Sequence, residues 1–273
     1  MALVKLLGAA AAAAAGGMAW GHFEAGWLRT RTLGCPLPGL PAELVGLRIA
    51  HLSDFHLGRP SRGERAVEQA VEWVAGRRPD LVCVTGDLLS HPRGARGLRS
   101  LLDRLPCVYA VLGNHDLGIA RDPRARATEA ADLGAATLLS NTAVTLELRG
   151  LRVQIVGVEP RSYLRRHAHP ESLVDRAAAL HILLCHFPRI VDRLPLDAFD
   201  LVLAGHLHDG QIAVPYGRGK LRLAHPSYPY PSGPYRRPAA VLHVSPGLGT
   251  TFVPFRFCAR PEVTELVLQS TEV

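Results

Sequence analysis

From residue 47 onward, short apolar runs alternate with longer stretches in which apolar residues recur every three or four positions. Residues 47–53 read as a strand, 62–75 as a helix, 80–85 as a strand, 94–105 as a helix and 107–112 as a strand. That rhythm predicts a sheet with covering helices. Leu81-Val82-Cys83-Val84 has no polar alternation, as in a strand buried on both faces. Residues 123–133 predict a further helix. Residues 144–148 and 151–157, separated by Arg149-Gly150, predict a hairpin. Further strands are expected at 181–185, 201–204, 221–224, 240–244 and 263–268, with a long Pro-, Tyr-, Ser- and Gly-rich loop at 226–238. No repeat of fixed period and no internal boundary interrupts residues 46–270, which read as one α/β domain.

The first 23 residues stand apart as a hydrophobic leader, and 24–45 read as a connecting segment. After Lys5 no formally charged side chain appears before Glu24, and residues 6–23 are mostly alanine. As a helix rising ~1.5 Å per residue, that run would span roughly 27 Å, close to a hydrocarbon core. Alanine is barely hydrophobic, so insertion rests on Leu6, Leu7, Met18, Trp20 and Phe23. An uncleaved anchor, a secretory signal cut near Gly17-Met18-Ala19 and a soluble alanine-rich helix all fit. Membrane association through this segment, or export, is favoured over a cytoplasmic location.

Composition bounds the rest. With 273 residues, 48% hydrophobic and 20% charged, the chain can bury a full core. Disorder, collagen-like repeats and a small disulfide-stapled scaffold are excluded. Cys35, Cys83, Cys107, Cys185 and Cys258 lie far apart without a Cys-x-x-Cys spacing, which argues against a structural zinc cage. The formal charge of +7 and isoelectric point near 9.5 invite an acidic partner: nucleic acid, a membrane surface or a phosphorylated substrate. All the basic residues except Lys5 and Lys220 are arginine, which equally suits a coding bias.

The polar residues carry the chemistry. Five apolar runs lead directly into potential metal ligands: Asp54-Phe55-His56, Gly86-Asp87, Gly113-Asn114-His115-Asp116, His186, and Gly205-His206-Leu207-His208. In an α/β sheet the carboxyl ends of the strands share a rim, so the five blocks can converge. Carboxylate, imidazole and amide oxygen suit Mn, Fe or Zn. Seven such groups exceed what one zinc with an open position needs, and they suffice for two metals if one carboxylate bridges. Taken alone, each block is more simply a turn or a strand-end histidine; their joint occurrence in this order is not. His22, His91, His167, His169, His181 and His243 lack partner clusters and read as surface or packing residues. His51 is expected to face the core. No Gly-rich phosphate loop, serine-hydrolase elbow or dinucleotide fingerprint is present.

Together these blocks resemble the five-block signature of calcineurin-like metallophosphoesterases, from about residue 40 to 268. Leu44-Val45-Gly46-Leu47-Arg48-Ile49, Gly210-Gln211, Gly247-Leu248-Gly249-Thr250, Pro254-Phe255-Arg256-Phe257 and Arg260-Pro261-Glu262-Val263 are similar to the bacterial YaeI/YkuE-like branch, whose members often carry an N-terminal anchor or export signal. The resemblance implies a four-layer α/β/β/α sandwich with a dinuclear site on the strand rim. Asp54, His56 and His208 would hold one metal, Asn114, His186 and His206 the other, and Asp87 would bridge them. His115 would act near the leaving-group oxygen, oriented by Asp116 or Asp54. Asp209 departs from an expected glycine and Pro246 from a common arginine, which spares the ligands and bears on substrate preference.

The expected reaction is metal-assisted hydrolysis of a phosphodiester or pyrophosphate bond, with a bridging hydroxide attacking in line, on a nucleotide or a lipid-linked substrate. A nuclease is the main alternative, with Arg93 and Arg96, Arg121–126 and Arg161–166 as clusters for a polyphosphate backbone; aromatics for base stacking are sparse among them, Tyr163 apart. A non-catalytic scaffold of the same fold is disfavoured because every ligand is retained.

Overall fold

Residues 81–85 are buried along their whole length, as their unbroken apolar run demands. Leu81 and Cys83 point into one core, Val82 and Val84 into another. That two-sided strand is the organising element of the computed structural model, which describes residues 1–123, 126–127, 133–217 and 219–271. The helix expected over 123–133 falls largely outside the described residues.

In chain order, the elements begin with α1 (Ala2–Glu24), β1 (Arg29–Pro38), β2 (Arg48–Leu52), α2 (Gly63–Arg77), β3 (Leu81–Thr85), α3 (Ala95–Leu102) and β4 (Val108–Val111). Next come β5 (Thr137–Leu138), β6 (Thr142–Leu148), β7 (Leu151–Gly157), α4 (Pro160–Leu164), β8 (Leu180–Leu184) and β9 (Leu201–Ala204). The last are β10 (Ala213–Tyr216), β11 (Gly219–Arg222), β12 (Gly233–Arg236), β13 (Val241–Val244) and β14 (Glu262–Thr271). They form two six-stranded sheets, ordered β1-β14-β2-β3-β4-β5 and β12-β13-β9-β8-β7-β6, and a separate β10–β11 hairpin.

The sheets face each other across a core that includes Ile49, Leu81, Cys83, Ile155, Ile182, Leu203 and Leu266. Ala66, Val67, Ala70, Val71 and Val74 make one buried stripe on α2, which with α3 covers the outer face of the first sheet. Behind the second sheet, Tyr163 of α4, Phe187, Ile190 and Val191 seal a third core. The four layers are thus present in mixed parallel and antiparallel form, but the fourth is built from α4 and short helical turns rather than long helices.

Two segments differ from expectation. The connecting segment contains β1, which runs parallel to β14 at the edge of the first sheet. Its alternating Arg and Thr side chains hide only Cys35 and Leu37 fully, and an edge strand tolerates Pro36 and Pro38. The loop at 226–238 contains β12 and is tied down by Tyr230 Oη to Asp192 (2.6 Å) and Ser232 Oγ to Asp209 (2.9 Å). The Arg149-Gly150 turn forms as read, with both residues at positive φ (54° and 79°), the geometry of a tight two-residue hairpin. α1 is helical throughout, long and apolar enough to cross a membrane, and exposed except at its last turn.

Candidate metal centre

Three polar blocks follow β2, β3 and β4, and two follow β8 and β9, so the site assembles where the C-terminal rims of the two sheets meet. One sheet's rim alone, as first read, would not have brought them together. The backbones touch there. His206 N–H donates to both Asp54 oxygens at 3.1 Å, and Gly205 N–H to the His186 carbonyl at 3.1 Å. A Cβ on Gly205 would lie 2.0 Å from Ser53 Oγ and 2.4 Å from Asp54 Oδ2, so the approach requires glycine.

Asp54, His56, Asp87, His206 and His208 all sit at positive φ, between 49° and 78°. Each such non-glycine residue costs roughly 1–3 kcal/mol and persists only where its surroundings over-determine it. Five of them around one point mark a site whose geometry outweighs local backbone comfort.

The side chains converge in two adjoining groups. His56 Nε2 lies 3.0 Å from His208 Nε2, which is 3.3 Å from Asp54 Oδ1. His186 Nε2 lies 3.1 Å from both Asn114 Oδ1 and His206 Nδ1. Between them Asp87 Oδ2 stands 3.6 Å from His56 Nε2, 3.3 Å from His186 Nε2 and 4.0 Å from His115 Nε2. The other Asp87 oxygen accepts His115 N–H at 2.8 Å, which fixes the direction of Oδ2. The outer nitrogens are taken: His186 Nδ1 donates to the Thr85 carbonyl (2.8 Å), and His56 Nδ1 meets Ser90 Oγ (2.8 Å). Such outer contacts set the ring orientation that a ligand needs. Ring nitrogens turned toward one another in this way, with carboxylates beside them, could hold a metal ion, and the imidazole and oxygen donors fit Mn, Fe or Zn.

The charges are interlocked. Burial would raise the Asp87 carboxyl, yet His186 and His115 beside it hold it well below the usual range. Burial likewise opposes ionised Asp54, and His208 with His186 together hold its carboxyl well below the usual range. Burial disfavours a charged His186, but Asp87 pushes it up to about 9. His56 and His206 are lowered by burial first and then by neighbouring histidines, His206 to about 3.

All nine expected residues come together, with one correction. Asp116 does not orient His115: its oxygens accept the backbone N–H groups of Leu88, Leu89 and Gly113 at 3.2, 2.8 and 2.8 Å. Burial, then repulsion from Asp87, pushes it up to about 7 against those donors. His115 Nδ1 is buried without a hydrogen-bond partner among the described residues, and its Nε2 faces the cluster.

Two residues escaped the sequence reading as site components. Arg256 is fully buried and donates to the carbonyls of Pro246, Gly249 and Ala259 and to His208 Nδ1 (3.1 Å); only its place in a family-like block hinted at a role. His225, which borders the proline-rich loop, lies with its ring 5.9 Å from that of His206, tilted at 43°. Conversely, His51 and His243 form a buried pair at 2.8 Å between the sheets, with His51 Nε2 2.9 Å from Thr85 Oγ1.

The cluster opens into a cavity of about 640 Å³ whose wall is largely apolar, with Ile119, Leu164, Phe187, Ile212, Leu223 and Phe252 among the lining side chains. Among the described arginines of the three clusters, only Arg121 reaches it.

The sequence pattern of the calcineurin-like phosphoesterase family matches residues 47–210. The uncharacterized metallophosphoesterase YkoQ of Bacillus subtilis (strain 168) is 30% identical over 235 residues, covering 83% of this chain and 84% of that one. A transmembrane protein with metallophosphoesterase domain from Danio rerio is 31% identical over 86% of this chain and 56% of its own length. The UDP-2,3-diacylglucosamine pyrophosphatase LpxG of Chlamydia trachomatis is 24% identical over 89% of each chain. With the two-sheet fold and the His/Asp cluster, these similarities place the chain in the calcineurin-like phosphoesterase family. It is a phosphoric ester hydrolase of the metal-dependent kind.

Proposed function

We propose that this hydrolase cleaves a phosphodiester or pyrophosphate bond at a dinuclear centre, held near a membrane by α1. The observation that carries the reading is Asp87 Oδ2, placed between two sets of converging ligands. Asp54, His56 and His208 would hold one divalent cation, Asn114, His186 and His206 the other, with Asp87 shared. Bound there, the cations supply neutralisation of phosphate charge and an acidified water for in-line attack. The chain's own part is positional. Thr85 and Ser90 fix the ring orientations of His186 and His56, and the His115 amide fixes that of Asp87. His115 lines the cavity with its Nε2 4.0 Å from Asp87 Oδ2, where it can give a proton to the departing oxygen. The membrane setting is supported by the exposed apolar α1 and by the transmembrane relative, and a lipid-linked pyrophosphate by LpxG; nucleotide diesters fit the same centre.

Asp87→Asn removes the shared charge. It is expected to lose bound metal, measured by elemental analysis after Mn reconstitution, and nearly all turnover of bis-p-nitrophenyl phosphate. Unchanged metal and rate together would overturn the assignment. His115→Ala is expected to keep its metal while the rate falls about 10²–10⁴-fold; a matching loss of metal would make it a ligand instead.

A further inference from the structure

The β10–β11 hairpin is built inside out. Its register pairs Val214 with Leu221, Tyr216 with Gly219, and Ala213 with Arg222. Paired residues share a face and successive pairs alternate, so Ile212, Val214, Tyr216, Leu221 and Leu223 line one face. The opposite face carries the charges. Lys220 and Arg222 both bond to Asp209, a buried carboxylate that Ser232 Oγ also reaches at 2.9 Å. A half-exposed hairpin normally turns its apolar side inward. Here the ionic side is clamped to the body, while Tyr216 is 76% exposed and Leu223 58%. Asp209, the departure from the family's glycine, is what fastens it that way.

The apolar face runs directly into the cavity, whose wall includes Ile212 and Leu223 but not Val214, Tyr216 or Leu221. Across the mouth stand Phe252 and Val253. Phe252 is held at φ 56°, a strained state for a bulky residue, by its N–H to Asp122 Oδ2 (2.9 Å), and its side chain is 50% exposed. The metal-ligand cluster therefore lies at the bottom of a cleft with two apolar lips.

Both lips join the foot of α1. Residues 252–257 lead from the cavity to that helix: Phe255 packs on His22, Arg256 N–H donates to the Gly21 carbonyl (3.0 Å), and Phe257 fills the space beside Gly21. The hairpin attaches to the same strip through Ala213 N–H to the Phe257 carbonyl and Lys220 Nζ to the Cys258 carbonyl, both at 2.8 Å. At that foot, Trp20, Phe23 and Trp27 cluster, with Arg260 over Trp27 at 3.8 Å; aromatics of this kind settle at a membrane–water boundary. The exposed patch is thus continuous with the segment suited to cross a bilayer.

We propose that the outer face of the β10–β11 hairpin, with Phe252 and Val253, is a lipid-docking surface, and that the substrate is a phosphate ester carrying a long apolar tail that passes between these lips. This rests on the phosphoesterase reading of the cluster. The bilayer seats the lips, the tail stays in apolar surroundings, and only the phosphate enters the polar floor.

The test uses the full chain with Mn in phosphatidylcholine nanodiscs, assayed on soluble bis-p-nitrophenyl phosphate and on hexadecyl p-nitrophenyl phosphate dispersed in the disc. A combined Val214→Ser, Tyr216→Ser, Leu221→Ser variant is expected to match wild type on the soluble diester, which also reports its folding. Its rate on the lipid diester should fall at least about tenfold, since three apolar contacts are lost. Equal rates on both substrates, or a parallel loss on both, would overturn the proposal. A spin label at Tyr216→Cys, with exposed Cys107 and Cys258 changed to Ser, reads docking without turnover. It should be more accessible to oxygen than to a nickel chelate; water-like accessibility, as a protein-binding face would give, also overturns it. Wild type that turns over neither diester while its label is buried would sink the phosphoesterase reading and leave docking supported.

Discussion

His186 shows how a single candidate ligand would couple proton and metal. Metal-free, it is pushed up to about 9 by Asp87, so at neutral pH it carries the proton that a cation must displace. Asp54 and Asp87 are held ionised, and His56 and His206 are held neutral, so they compete little. Apparent metal affinity is therefore expected to rise by up to about tenfold per pH unit between pH 7 and 9, then level off. Competition with a chromogenic chelator across that range would show it, and a flat profile would contradict it. The sign for the metal-free fold is opposite. Its His186–Asp87 pairing is fully stabilising below the ordinary histidine value of 6.5 and is lost as pH rises through about 9. At this scale the sequence was highly legible, because apolar strands ending in Asp, Asn and His leave little else for those side chains to do. What it hid were the positive φ angles of the candidate ligands and the burial of Arg256, whose guanidinium is wrapped by the carbonyls of Pro246, Gly249 and Ala259 and reaches His208, 48 residues away.

Among elements, the buried parallel strands and α2 were readable because their periodicity is strong. β1 was not: its Arg-Thr alternation and two prolines resemble a linker until β14 lies beside it. The β10–β11 hairpin was half seen, as a strand at 221–224, and its inverted faces were invisible because they follow from Asp209. Asp209 sits at φ 52°, which asparagine also accepts, so Asp209→Asn isolates the charge. With Lys220 and Arg222 left facing a neutral amide, the hairpin should open more readily. Tryptic cleavage after those two residues is expected to quicken about tenfold, for a local loss of roughly 1.4 kcal/mol, at unchanged metal content. Unchanged cleavage would mean that the backbone bonds of residues 212–213 hold the hairpin alone.

For the whole molecule, a metal held in the His/Asp cluster would also fasten the two sheets, since the candidate ligands come from both rims. Each cation at about a hundred times its dissociation constant would add about 2.7 kcal/mol, raising the melting temperature by roughly 5–10 °C. Scanning calorimetry with Mn and with a chelator should show that difference, and coincident transitions would place the ligands' attachment outside the cooperative unit. The hydrophobic pattern alone could not tell two facing sheets from one, because strand order is set by distant pairings; the resemblance to the family supplied the second sheet. The placement of β14 makes this acute: it slots between β1 and β2, parallel to one and antiparallel to the other. Synthesis runs from the other direction. While a ribosome is still making residues 48–261, β1 and β2 both lack the neighbour that separates them, and α1 has long since emerged. The first sheet can join β1 to β2 only once β14 has emerged to lie between them, so a strand that carries no candidate ligand is the one that completes it.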